Sequence, residues 1–322
     1  MNLYRAKSRF LIFNLCISIA VLISFSQYSF ASDAEKEIDK LLSTPEQDID
    51  IGIAALTLAK EIYPGLDIMA YSKKIDAMVT TARLVAKGSK DPDYRIRALN
   101  TFLYKYSGIK YDMSDPNADK LQNRYLNGIL DTKMGSCVTM PILYLSIAQR
   151  LGYPVYPVSV PWHFFLRYVD PTFKMQNIET TGGGGYSSDD EYTAVLQISQ
   201  QGIKSGAYLR TMTYREFVAE LVAQNAMYWG MRGDFTKAIH YLEKATKVNP
   251  RSAEISKALG NVYLIYSQSC GGKTAEEYRA KAYLYFKKAD DLGITKLSNS
   301  NYMTEQKKAQ EKFRKKSKGG IK

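Results

Sequence analysis

Residues 135–145 read GSCVTMPILYL: two small residues, a cysteine, then an apolar run that continues to Gly152. The run over 138–151 has a helical pattern, and Gly152 is a good terminator. Cys137 therefore stands where the chain enters a helix. The unpaired N–H groups and positive dipole end at such a start favour a thiolate, and the same groups suit an oxyanion. Pro141 fits, because its missing N–H costs little within a first turn. Three readings are open for this cysteine: a nucleophile, half of a disulfide, or a small core residue.

The chain around it narrows the choice. Arg5, Lys7 and Arg9 precede an apolar stretch over 10–25, and Ser29-Phe30-Ala31 is a small-x-small cleavage signal. That is the layout of a secretory leader over 1–31, with an uncleaved membrane anchor as the alternative. The expected location is the periplasm or the exterior. Of the three cysteines, Cys16 leaves with the leader, and the remaining pair, Cys137 and Cys270, makes a disulfide conceivable in an exported protein. The formal charge of +12 is unevenly placed. The leader carries +3 and residues 307–322 carry +7, so the rest is nearly balanced. The basic character belongs to a solvated, disordered tail rather than to a nucleic-acid surface.

Residues 33–88 read as helices, with Ile49, Ile53, Leu56 and Ala59 on one apolar face. Residues 93–106 form another amphipathic helix, and 110–121 have turn chemistry around Asp115-Pro116-Asn117. Two runs of strand type follow the Cys137 helix, 155–169 and 173–181, separated by Asp170-Pro171. Gly182 to Gly185 open a polar loop, read either as a flap beside a cleft or as a surface linker, and 192–211 are expected to add strands. After Thr213 the pattern is helical. Ala226, Trp229, Gly233, Phe235, Ala238, Leu242, Ala245 and Pro250 fit one tetratricopeptide repeat (TPR), and Gly260 stands 34 residues after Ala226. A second repeat needs about ten inserted residues around Cys270-Gly271-Gly272 to bring Ala282, Phe286 and Ala289 into place.

His240 falls inside this repeat, where packing is the default role, which leaves His163 in PWHFFLRY. Alternation puts His163, Phe165 and Arg167 on one strand face. Taken alone, a histidine in an aromatic strand is a core residue. Beside Cys137 it is the imidazole that a thiol nucleophile requires. If Asp170-Pro171-Thr172 is a hairpin loop, His163 lies opposite Glu179, or opposite Asn177 in a register tighter by two. Either would orient the ring, and a carboxylate would also stabilise an imidazolium. Glu179 is preferred, with Asn177 as the alternative orienter. A zinc site is not indicated, since Cys137 and His163 lack further Cys or His ligands. No cofactor is called for.

At NRYLNGILDTKMGSCVTMPILYLSIAQRLGYPV, PWHFFLRY and NIETTGGG the chain resembles the transglutaminase-like branch of the papain-type fold. The nearer resemblance is to Sir-B type proteins, which join that core to C-terminal tetratricopeptide-like helices. It spans roughly residues 46–290. It implies an α+β fold: N-terminal helices over 32–110, a core over 111–212 with a helix packed on a small antiparallel sheet, TPR-like helices over 213–295, and the tail over 296–322. It also implies Cys137 as nucleophile, His163 as base and Glu179 as orienter, with Glu standing where Asp is common in that family. The expected activity is cleavage or transfer at an amide bond, with a peptide or protein substrate. The other class of function is a TPR-type binding module with an inactive core. A protein partner would bind through the TPR-like helices, and membrane contact would come only from the leader or weakly from the tail. No specific nucleic acid is expected.

Overall fold

A computed structural model describes residues 35–296, so the leader call and the tail beyond Lys296 lie outside the described residues. The chain divides into two units, Met1–Ser43 and Thr44–Lys322. The first shows a helix over 35–43. All that follows concerns the second.

Helix α1 (Ile51–Ile62) starts because Asp50 Oδ1 accepts from the Ile53 N–H (2.8 Å), satisfying one of the free donors at a helix start. α2 (Ile68–Ala86) and α3 (Pro92–Asn100) are capped in the same way by Asp67 and Asp91. A π-helical turn over Thr101–Tyr106 extends α3. The stretch expected to be only turn chemistry supplies a short strand, β1 (Lys110–Tyr111), which pairs in parallel with β2 (Met134–Gly135). Between them lies α4 (Leu126–Thr132).

The central element is α5 (Thr139–Arg150), in which every residue from Thr139 to Ala148 is buried. A helix that is apolar all round belongs in a core, and α5 packs against α1, α2, α4 and the sheet. Its C-terminal end is fastened by polar contacts. Gln149 Nε2 donates to Ile49 O, and Arg150 holds Asp50 at 3.0 Å and Asp76 at 2.8 Å.

The sheet has the order β3 (Val155–Val160), β4 (His163–Tyr168), β5 (Asn177–Ile178), all antiparallel. The run 155–169 is thus a hairpin, not one strand. Val160 pairs with His163 across a two-residue turn made by Pro161 and Trp162. Trp162 holds φ 59°, a left-handed conformation that disfavours a bulky side chain, and so it gave no turn signal. The β4–β5 register also differs from the hairpin arithmetic. Arg167 pairs with Asn177, two residues looser than assumed, because 169–176 form a wider loop. The region 192–211, expected as strand, holds two helices, α6 (Asp189–Leu196) and α7 (Gln200–Ser205), started by Ser188 and Ser199 caps. Its only ladder contact among the described residues is an isolated bridge from Thr211 to Val158.

Among the described residues, four more helices follow: α8 (Tyr214–Met231), α9 (Phe235–Val248), α10 (Ala253–Gln268) and α11 (Gly272–Asp291). Each packs chiefly on its neighbours in sequence. Gly260 is required where α10 meets α11, since a Cβ there would stand 2.7 Å from the Phe286 ring. The expected ten-residue insertion does not form a loop. α11 begins at Gly272 and absorbs those residues into a helix 20 residues long. Ala282 and Ala289 are buried on it all the same. Among the described residues, no helix is long and apolar enough to cross a membrane.

Glu61 ties these helices to α1. Its carboxylate accepts from Asn225 Nδ2 (2.9 Å), Trp229 Nε1 (3.0 Å), Tyr241 OH (2.7 Å) and Lys237 Nζ (2.5 Å). Four donors converging on one buried carboxylate leave a costly set of orphans when it is removed. Glu61→Ala is expected to lower the unfolding free energy by about 3–5 kcal/mol, the usual loss on breaking a buried ion pair. Denaturant titration of the variant checks this; a loss under ~1 kcal/mol would mean that the donors are readily rehydrated.

Candidate active site

The helix start at α5 is built from Ser136 and Thr139. Ser136 Oγ accepts from the Val138 and Thr139 N–H groups (3.2 and 3.3 Å), and the Ser136 N–H donates to Thr139 Oγ1 (2.9 Å). Cys137 sits inside this small ring, half-buried, two residues before the first residue of α5. Both Cys137 and Cys270 are free thiols, so the disulfide reading is not realised. No backbone carbonyl among the described residues accepts the Cys137 N–H.

His163 opens β4 and is 7% exposed, and Glu179, just beyond β5, is 1% exposed. His163 Nε2 donates to Glu179 Oε2 at 2.8 Å. The two residues are not direct cross-strand partners in the observed register. They share a sheet face, however, and the long Glu side chain spans the diagonal. Nδ1, the other ring nitrogen, is buried and has no partner of good hydrogen-bond geometry. Cys137 nevertheless lies close enough to act on the ring. Burial alone would drive the imidazole toward neutrality. The charge and hydrogen bond of Glu179, together with the nearby Cys137, outweigh it and raise the His163 pKa. In Glu179 burial pushes upward, but His163, Thr181 and Tyr192 bring the carboxyl below its ordinary value. Both directions favour a charged pair.

Two groups that sequence reasoning missed complete the carboxylate. Tyr192 OH donates to Oε2 (2.8 Å), and the Thr181 N–H and hydroxyl donate to Oε1 (2.9 and 2.6 Å). Tyr192 is held in place by stacking on Phe165, with ring centroids 4.2 Å apart. Thr181, two residues after Glu179, lies in a short 3-10 turn (Thr180–Gly182) that the Glu179 side chain caps by accepting the Thr181 N–H. Tyr192 was missed because it comes from a helix read as a strand.

The glycine run is neither flap nor linker. It folds tightly around Glu179, whose N–H donates to Gly185 O (2.8 Å) and whose carbonyl accepts from the Gly184 N–H (2.9 Å). Gly184 adopts φ +77°, and a Cβ there would meet the Asn100 side chain at 2.0 Å. Asn100 Nδ2 donates to Gly184 O, so the end of α3 fixes the loop. Asn177 is engaged elsewhere. It accepts from Arg167 Nε (2.9 Å) and donates to Ser187 O and Asp189 Oδ1 (2.8 and 2.7 Å). The structure therefore brings Cys137, His163 and Glu179 together and gives Asn177 to a neighbouring Arg167–Asp189 brace.

A buried helix with a cysteine at its start, against an antiparallel sheet carrying a histidine and a carboxylate, is an α+β arrangement that fits a transglutaminase-like core, here with a helical C-terminal region. The family comparison agrees: the model of the transglutaminase-like superfamily matches residues 69–223. A UPF0162 protein of Xylella fastidiosa (strain Temecula1 / ATCC 700964) is 26% identical over 132 residues, which are 40% of this chain and 45% of that protein. A UPF0162 protein of Buchnera aphidicola subsp. Schizaphis graminum is 29% identical over 127 residues, 37% of this chain and 42% of that protein. The human F-box only protein 21 is 36% identical over 74 residues, 22% of this chain and 11% of that protein. The matched region thus spans less than half the length of each of these relatives.

Proposed function

We propose that this chain is an exported cysteine enzyme acting at amide bonds, as a peptidase, amidase, deamidase or acyl transferase. The observation that carries the reading is the hydrogen bond from His163 Nε2 to Glu179, which leaves Nδ1 as the unpartnered ring nitrogen of a histidine that Cys137 also perturbs. In the proposed mechanism Nδ1 holds the proton given up by the thiol, and the Cys137 thiolate adds to the substrate carbonyl. The Cys137 N–H donates to the oxyanion. The protonated imidazole then gives its proton to the leaving amine, and the C–N bond breaks. The acyl group stays on sulfur until water, or an acceptor amine in a transferase, takes it. Glu179 keeps the ring in the useful tautomer and supports its charge. The helices α8–α11 are read as a TPR-like surface for a peptide or protein partner. Export rests on the leader composition over 1–31.

The test is alkylation of Cys137 by iodoacetamide as a function of pH, read by peptide mass spectrometry with Cys270 as the internal reference. Cys137 is expected to react at pH 6 about tenfold or more faster than Cys270, because only the thiolate is the nucleophile and only Cys137 has an imidazole partner. His163→Ala is expected to remove that advantage. Equal slow labelling of both cysteines in the wild type would favour the binding-module reading instead.

A further inference from the structure

The site described so far leaves unexplained a polar network on the far side of the nucleophile loop. Asn123 is 0% exposed, and its Nδ2 donates to two carboxylates, Asp112 Oδ2 at 2.9 Å and Asp115 Oδ2 at 2.7 Å. Both acids are themselves buried. Asp115 also accepts the Asp119 and Lys120 N–H groups (2.8 and 3.0 Å). Asp112 accepts from the Ser114 N–H and hydroxyl (3.0 and 2.6 Å) and from Lys120 Nζ (3.0 Å). Hydrogen bonds from Ser114 first, then against burial those from Asn123 and Lys120, keep Asp112 well below the usual carboxylate range. The two carboxylates are satisfied by these donors, while Asn123 Oδ1 is buried without a hydrogen-bond partner and Lys120 reaches the surface. Donors fixed on both carboxylates hold the loop in one arrangement.

It reaches the chain on both sides of Cys137. On the strand side, the Asp112 N–H donates to Gly135 O (2.8 Å), two residues before the cysteine. On the helix side, Thr139 Oγ1 donates to Asn123 O across a longer 3.4 Å, two residues after it. The same hydroxyl accepts the Ser136 N–H, so Thr139 closes the ring around the cysteine and joins that ring to the network. Gly135 is closely packed: a Cβ there would stand 2.4 Å from Ile129 Cδ1 and 2.7 Å from Met140 Cγ.

From these contacts we infer that Asn123, clamped by Asp112 and Asp115 and linked through Thr139, is a positioning residue that sets where the Cys137 sulfur lies relative to the His163 ring. The inference rests on the proposed nucleophilic role of Cys137. Its physical basis is that a displacement near 1 Å at a reacting group costs about a hundredfold in rate, while the loss of one buried hydroxyl, which leaves its partners unpaired, costs a modest share of the stability.

Thr139→Val tests it, since valine keeps the shape and deletes the hydroxyl. The measurement is iodoacetamide alkylation of Cys137 from pH 5 to 9 in the full chain, with Cys270 as reference, alongside the melting temperature. The expected result is a Cys137 rate at pH 6 lowered about tenfold or more, by the positional argument, with Cys270 unchanged and the protein still folded. Thr139→Ser is expected to restore the rate. Should Thr139→Val fold poorly, Ser136→Ala opens the same ring from its other side, and a several-fold loss is expected. Wild-type rates in a folded Thr139→Val, or in Ser136→Ala where it replaces that variant, would overturn the positioning role alone. A wild-type Cys137 no faster than Cys270 would overturn both this inference and the proposed function.

Discussion

Cys137→Ala is expected to abolish turnover in an amide-hydrolysis screen while leaving a folded protein. No other thiol is available in the described residues except Cys270, which lies in the turn between α10 and α11. Water attacking unaided through the same oxyanion donor cannot replace a covalent route. Loss of a nucleophile from a comparable constellation costs about 10^6 in kcat, so the residual activity should fall below detection. The structural cost is small for two reasons. Cys137 is half-buried, so deleting one sulfur removes little packed surface, and the ring that holds the loop is made by Ser136 and Thr139 rather than by the thiol. A loss of about 1 kcal/mol or less is expected from such a truncation. Thermal unfolding and the screen, run on the same preparation, separate the two effects. Activity equal to wild type would remove Cys137 from the mechanism altogether.

The elements that place this site were unequally legible in the amino-acid order. The cysteine at a helix start could be read because the apolar run from Thr139 to Ala148 has no polar interruption that would suit a surface helix. The His163–Glu179 pair could be read for a weaker reason. Strand alternation fixes parity but not register, and a two-residue slip keeps both side chains on the same face. The assumed register was off by two, yet Glu179 remained within reach while Asn177 moved to Arg167. Turn signals failed where the chain uses strain. Trp162 holds a left-handed φ that composition assigns to Gly or Asn, so one run concealed a hairpin.

The supports were harder to see than Cys137, His163 and Glu179 themselves. Tyr192 comes from a helix whose capping box, Ser188 with Glu191, follows directly on a glycine-rich loop. Reading that box as a helix start would have corrected the strand expectation over 192–211. The Asp112–Asn123 network has no periodicity, because its members are joined by a loop that folds on itself. In YDMSDPNADKLQN only the turn chemistry was visible. The extra residues of the second repeat were expected as an insertion for a comparable reason. A fixed period assumes constant helix length, and α11 is extended at its N-terminal end.

Glu179→Gln is expected to cut kcat by about 10^3 to 10^4, the size of loss seen when an orienting carboxylate becomes an amide and the imidazole takes the wrong tautomer. The direction follows from the fixed donors around the carboxylate. The Thr181 N–H is a backbone group and can only donate, so it selects the amide oxygen of Gln for the position now held by Oε1. The amide nitrogen then falls at the Oε2 position and presents hydrogens to His163 Nε2. That nitrogen must become an acceptor, its proton moves to Nδ1, and the ring can no longer take the proton of Cys137. Tyr192 OH, also a donor to Oε2, opposes the amide in the same place. Stability should fall too, and its pH dependence has a definite sign. The raised pKa of His163 contributes stability that is full below its unfolded value near 6.5 and is lost as pH rises through the folded value. The lowered pKa of Glu179 contributes stability that is present above its unfolded value near 4.5 and is lost as pH falls through the folded value. Both describe one ion pair, so the wild type should exceed Glu179→Gln by the largest margin between about pH 4.5 and 6.5, with the gap closing toward acid and toward alkali. Urea unfolding at acidic, near-neutral and alkaline pH measures this. A margin independent of pH would mean that the pair is held neutral, and a wild-type kcat in Glu179→Gln would mean that the tautomer is set by another group.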